Sequence, residues 1–311
     1  MSRYLKQIGY KIACTIAFCS AAAASGRAAS PADGGAAKAA HSATVVAEQV
    51  RVFRRGGRLT VETQNLRIHG IGKQADAAAW ARQCERLRTM LAERWLGARQ
   101  PQVWSPKCDI VLHGTLAEYL RAVGADQAST IGASLIDRAG DRIILRRIDI
   151  RADRAGWLQG ALAHELTHAI LADEFACEEL PLWADEGMAV LADPAAKQAL
   201  HLRDFHNGLR RGSSWRLAEF LSGEAALSRE QIPVFYGQSL SLVKFLVDRK
   251  TPADFVSFLR RAREVGYDAA LRDCYVLDGV ADLERQWRRP LTGSKPTRNV
   301  FSVVATPLTL P

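Results

Sequence analysis

Two histidines four residues apart, with a glutamate directly after the first, are the residues of this chain best suited to chemistry: His164-Glu165-Leu166-Thr167-His168. The stretch from Gln159 to Ile170 reads as a helix. On a helix, positions i and i+4 stand on one face about one turn apart, so two imidazoles can share a tetrahedral metal ion. Glu165 is rotated by roughly 100° from His164, which rules it out as a third ligand and sets it beside the metal, where it can hold and deprotonate a bound water. This division of labour is that of zinc-assisted hydrolysis. A catalytic zinc takes three protein ligands and one water, so a third donor is needed downstream.

Two carboxylates come into question. Glu174 lies six residues beyond His168, where a third ligand follows if the chain turns at a glycine; the turn position here is Leu171, which gives the helix no reason to break. Glu186 lies eighteen residues after His168, in Leu180-Pro181-Leu182-Trp183-Ala184-Asp185-Glu186-Gly187-Met188-Ala189. A loop broken by Pro181 would let a second helix bring Glu186 back against the two imidazoles. Asp185 suits a carboxylate that orients a ligand imidazole, or an acid in the first turn of a helix. His69 and His113 end strands, and His201 and His206 share no helix face well; lone histidines of this kind are usually packed or solvated.

Joined together, His164-Glu165-x-x-His168 and Pro181-x-Trp183-x-x-Glu186-Gly187-x-Ala189 resemble the gluzincin metallopeptidases, in particular the peptidase MA-like proteins, over roughly residues 60 to 250. The resemblance implies one Zn²⁺ held by His164, His168 and Glu186, with Glu165 as general base and a peptide or protein as substrate. It also implies an edge strand above the metal, filled by Arg142 to Arg146 or by Ser134 to Asp137, that pairs with extended substrate. Tyr236 corresponds to a tyrosine that donates to the developing oxyanion in related enzymes; the alternative is a tyrosine merely packed in a helix.

Stepping outward, Leu59 to His69 alternates as a strand after a Gly56-Gly57 turn. Residues 74 to 97 have helical spacing and stop at Gly97. Asp109 to His113 is a short buried strand, Thr115 to Val123 a helix, and Ser134 to Arg146 a hairpin. Beyond His168 the pattern is helical, at residues 182–192, 195–210, 215–222, 233–250, 252–265 and 280–288. The expected fold is α+β and zincin-like, with a small mixed sheet and the motif helix first (49–173), a mainly helical half second (174–289), and a cleft between. A tail from 290 to 311 is expected to be extended or disordered.

The N-terminus carries Arg3, Lys6 and Lys11 without an acid, then an apolar run from Ile12 to Ala24 and a small-residue exit. That is the build of a secretory signal peptide, residues 1–26, and its thirteen apolar residues fall short of the roughly 20 needed to span a bilayer. An uncleaved anchor is the alternative. Residues 27–48 are Ala-, Gly- and Ser-rich and read as a flexible linker. The product is expected to be exported, periplasmic or extracellular, without a stable membrane span.

Cleavage would lower the net charge of +9 by three. Arginines cluster at 51–58, at 146–154 and at 285–289, but no nucleic-acid motif accompanies them, so no nucleic-acid partner is expected and solvated faces are the simpler reading. Four cysteines remain after cleavage: Cys84, Cys108, Cys177 and Cys274. Pairing of Cys84 with Cys108 and Cys177 with Cys274 suits an exported chain, with free buried thiols as the alternative. Two rivals to the peptidase reading are a catalytically silent metal- or peptide-binding protein of the same fold and a basic surface-binding module.

Overall fold

Alternating apolar residues build the first half. The computed structural model of the chain describes residues 11–15, 50–70, 74–97, 102–175, 180–223 and 227–292. The strands are β1 (Lys11–Thr15), β2 (Arg51–Arg55), β3 (Arg58–Glu62), β4 (Leu66–His69), β5 (Cys108–His113), β6 (Thr130–Ala139) and β7 (Arg142–Arg151). They form one mixed sheet in the order β1-β6-β7-β5-β4-β3-β2. β4, β5 and β7 run parallel to their neighbours in that trio, and all other pairings are antiparallel.

Ten α-helices are described: α1 (Gln74–Leu96), α2 (Leu116–Val123), α3 (Ala163–Glu174), α4 (Leu182–Val190), α5 (Ala195–Arg211), α6 (Leu217–Ser222), α7 (Ile232–Val247), α8 (Pro252–Val265), α9 (Tyr267–Tyr275) and α10 (Gly279–Thr292). The architecture is α+β, and every described element after α3 is helical. Helices α1 and α3 bury Leu87, Leu91, Leu166 and Ile170 against Val61, Ile110 and Ile148 of the sheet. A second core holds α4 to α10 around Trp183, Phe205, Phe255 and Trp287. Fully burying one such aromatic contributes about 2–3 kcal/mol. Among the described residues no helix is long and apolar enough to cross a membrane.

Several expectations change. Leu59 to His69 is two strands rather than one, because Thr63 and Asn65 turn the chain and are held there by Glu85 of α1: the Thr63 hydroxyl, the Asn65 N–H and Asn65 Nδ2 all donate to its carboxylate. Of Arg142 to Arg146, only Arg146 pairs with β5; residues 142–145 reach past the end of β5 and pair with β6 alone. β6 lies further out, and among the described residues β1, the stretch read as part of the signal peptide, lies beyond it. The rest of residues 1–26 and the linker at 27–48 lie outside the described residues. Helix α9 escaped the periodicity reading, and α10 runs through Pro290 to Thr292, so the tail starts later than 290.

Cys84 and Cys108 are free thiols buried in the sheet core rather than a disulfide. Burial pushes the Cys84 thiol up to about 12. Cys274 is free as well, and Cys177 lies outside the described residues. Arg146 and Arg151 of β7 are not solvated: Arg146 is buried, pairs with Asp173 and lies over the Trp104 ring, and Arg151 is buried and pairs with Asp153, while the half-exposed Arg147 pairs with Asp149.

Candidate metal centre

The motif helix is anchored at both ends. Before α3 the chain makes one π-helical turn, Leu158–Leu162, in which Leu162 N–H donates to Trp157 O at 2.9 Å. Such turns recur beside functional sites because they re-aim the residues that follow. At the far end Arg138 of β6 donates to Phe175 O at 2.9 Å and Ala172 O at 2.8 Å, capping carbonyls the helix leaves open. Nine consecutive residues of α3, Ala163 to Leu171, are buried, His164, Glu165 and His168 among them.

α4 starts at Pro181, whose carbonyl accepts from Ala184 and Asp185. Trp183 fixes this helix in the second core against Phe220 and Phe255. One turn on, Gly187 lets α4 meet α7: a Cβ there would lie 2.4 Å from Val243 Cγ2 and 2.7 Å from Ser239 O. This close crossing sets Glu186 against α3. His164, His168 and Glu186 each offer one ligand atom, and all three atoms lie within 4.8 Å of one another. His164 Nε2 is 3.6 Å from Glu186 Oε2, and the two imidazole centroids are 4.9 Å apart.

Carboxylates stand behind both rings. His168 Nδ1 donates to Asp185 Oδ1 at 2.9 Å. His164 Nδ1 lies 3.4 Å from Asp193 Oδ2, an oxygen that Lys197 Nζ also approaches, at 2.9 Å. Each contact turns the ring so that Nε2 faces Glu186. Burial alone would push His168 down, yet Asp185 outweighs it and raises its affinity for positive charge. Burial acts on Asp193 in the opposite sense, and His164 and Lys197 override it to hold the carboxyl low.

Glu165 sits beneath β6. A Cβ on Gly132 would come within 2.9 Å of both Glu165 Cγ and Oε1, so only a glycine leaves this space. Burial pushes the Glu165 carboxyl up, with His164 and His168 working against it and the Ser134 side chain favouring the charged form. Tyr236 of α7 donates to Glu186 Oε1 at 3.4 Å, so its hydroxyl lies beside the cluster.

A family profile describing the peptidase MA superfamily matches residues 130–293, from the first residue of β6 to just past α10. The chain belongs to the peptidase MA superfamily. No curated protein matches it. Membership in the peptidase MA superfamily points to metallopeptidase activity, and all residues of the cluster fall inside the matched stretch.

Among the sequence-derived candidates, His164, Glu165, His168, Asp185, Glu186 and Tyr236 come together. Glu174 does not: it ends α3 and pairs with Arg260 of α8. His69 and His113 bind Asp109 and Asp149 elsewhere in the sheet. Asp193, Lys197 and Gly132 were missed, and Ser134 entered only as part of a candidate edge strand. An acid just before Pro194 was the one available hint for Asp193, because α5 begins there and a Cβ on Gly160 of the π-helical turn would lie 3.6 Å from Cδ of that proline.

Proposed function

We propose that this chain is an exported gluzincin-type metallopeptidase that hydrolyses peptide bonds, with His164, His168 and Glu186 holding one Zn²⁺. The observation that carries this is the convergence of those three donors with Glu165 directly alongside. Two imidazoles and a carboxylate suit zinc. His168 Nε2 and Glu186 Oε2 are buried without a hydrogen-bond partner among the described residues, a state that a cation relieves. Bound there, zinc supplies Lewis acidity that acidifies water and polarises a carbonyl.

The remaining work falls to the chain. Glu165, made more basic by its burial, accepts a proton from the attacking water and delivers it to the leaving amine. Tyr236 donates to the oxyanion. Substrate enters a cleft between the sheet and the helical half and adds an extended strand to β6. Support for that mode comes from β1, which pairs antiparallel with β6 from Lys11↔Leu135 to Thr15↔Thr130, alongside Gly132. Removal of residues 1–26 as a signal peptide would free this edge outside the cytoplasm.

The test is metal analysis of the purified chain from residue 27 onward, followed by mass spectrometry of a broad peptide library. One zinc per chain with defined cleavage sites is expected. One zinc without cleavage would reduce the reading to a metal- or peptide-binding protein, and no zinc would remove it.

A further inference from the structure

His201, a lone histidine by sequence, is carried by the fold to the wall of the site. It lies on the inner face of α5, one turn after Lys197, and only 7% of it is exposed. Its ring centroid is 5.5 Å from that of Tyr236, with the planes inclined by 39°. The approach is fixed by the backbone: a Cβ on Gly237, the residue after Tyr236, would sit 2.0 Å from His201 O and 2.7 Å from Phe205 Cβ. α5 and α7 therefore touch at this glycine, and the side chains flanking it have no freedom to separate.

His201 Nε2 is buried and has no hydrogen-bond partner among the described residues. Burial, with Lys197 close by, pushes the imidazole down to about 4, so the ring is neutral at ordinary pH and adds no positive charge next to the metal ligands. The phenol of Tyr236 is thus held between this ring and Glu186, whose Oε1 accepts from its hydroxyl.

We propose that His201 is a positioning residue for Tyr236, its buried ring holding the phenol so that the hydroxyl stays beside Glu186. The inference rests on the reading of Tyr236 as the oxyanion donor. Misplacing a group by about 1 Å can cost up to 100-fold in rate, and a side chain acting through another shows coupling rather than additivity.

The experiment compares the zinc-loaded chain with His201→Leu, which fills the volume without a flat ring, and His201→Phe, which keeps the ring and removes the nitrogens. Each is made alone and on Tyr236→Phe, with kcat and KM measured and the Tyr236 ring followed by NMR after ¹³C-tyrosine labelling. His201→Leu is expected to lower kcat about tenfold with KM and zinc content unchanged, and to shift and broaden the Tyr236 signal. His201→Phe is expected to keep kcat within about twofold and the signal sharp. On Tyr236→Phe, His201→Leu is expected to add no further loss. Full kcat with an unmoved Tyr236 signal in His201→Leu would overturn the proposal, as would a loss that adds fully to Tyr236→Phe or that His201→Phe shows equally. If the zinc-loaded wild type cleaves nothing while the Tyr236 signal responds as expected, the positioning role stands and the peptidase reading fails.

Discussion

Asp193 Oδ2 lies 3.4 Å from His164 Nδ1 and 2.9 Å from the Lys197 ammonium nitrogen, with its side chain fully buried. A carboxylate in this place fixes the ring so that Nε2 is the atom presented to a metal, and Asp185 does the same for His168. Replacing Asp193 or Asp185 by Asn is therefore expected to weaken zinc binding by about 10- to 100-fold. Competition against a chelator of known affinity measures this. Unchanged affinity in both variants would separate the carboxylates from the metal centre.

Gly132 reserves the space that Glu165 occupies. A methyl group there meets the Glu165 side chain at 2.9 Å and Ile150 Cδ1 at 3.1 Å, so Gly132→Ala must displace the carboxylate. The expected outcome is kcat lower by about 100-fold with zinc content intact. An alanine variant with wild-type kcat would show that Glu165 does not need this position.

β1 covers the hydrogen-bonding edge of β6 in the full chain. Deleting residues 1–26 is expected to speed amide exchange in Thr130–Leu135 by at least about tenfold and to leave β5 and β7 protected, since only an unpaired edge opens at little cost. Equal exchange in the two chains would mean that the pairing does not form in solution.

Asp149 of β7, which pairs with Ala133 of β6, accepts from His113 Nε2 at 2.7 Å and Arg147 Nε at 2.8 Å. Burial by itself would push this carboxyl up, but those hydrogen bonds win and hold it below the ordinary carboxylate range. A depressed folded value means stability that is fully present above the unfolded value of about 3.9 and lost as pH falls through the lowered one. In urea titrations the wild type is expected to exceed Asp149→Asn by a constant margin near neutral pH, and the margin is expected to shrink below about pH 4. A margin that does not change with pH would remove His113 and Arg147 as the cause.

The features read correctly from sequence are those that short-range periodicity dictates. His164 and His168 share a helix face by spacing alone, and Pro181 with Trp183 announces a helix that starts sharply and packs deeply. Gly97, with a φ of +75°, ends α1 where the pattern stops. Contacts between distant segments stay hidden. Asp193 stands beside His164, and a Cβ on Gly132 would meet Glu165 across the sheet and helix layers. The β3–β4 turn depends on Glu85, twenty residues later, so local alternation reads straight through it. Cys84 and Cys108 suggest a disulfide by count, while their common core accounts for them as apolar packing.

The central claim is that Glu165 is the base of a zinc-dependent hydrolysis, and Glu165→Gln tests it most directly because the side chain keeps its size beneath Gly132. Peptide cleavage and bound zinc are measured on the same preparation. The account predicts a fall in kcat of about 10²- to 10⁴-fold with one zinc retained per chain. Cleavage by the variant at the wild-type rate, with zinc bound, would contradict it.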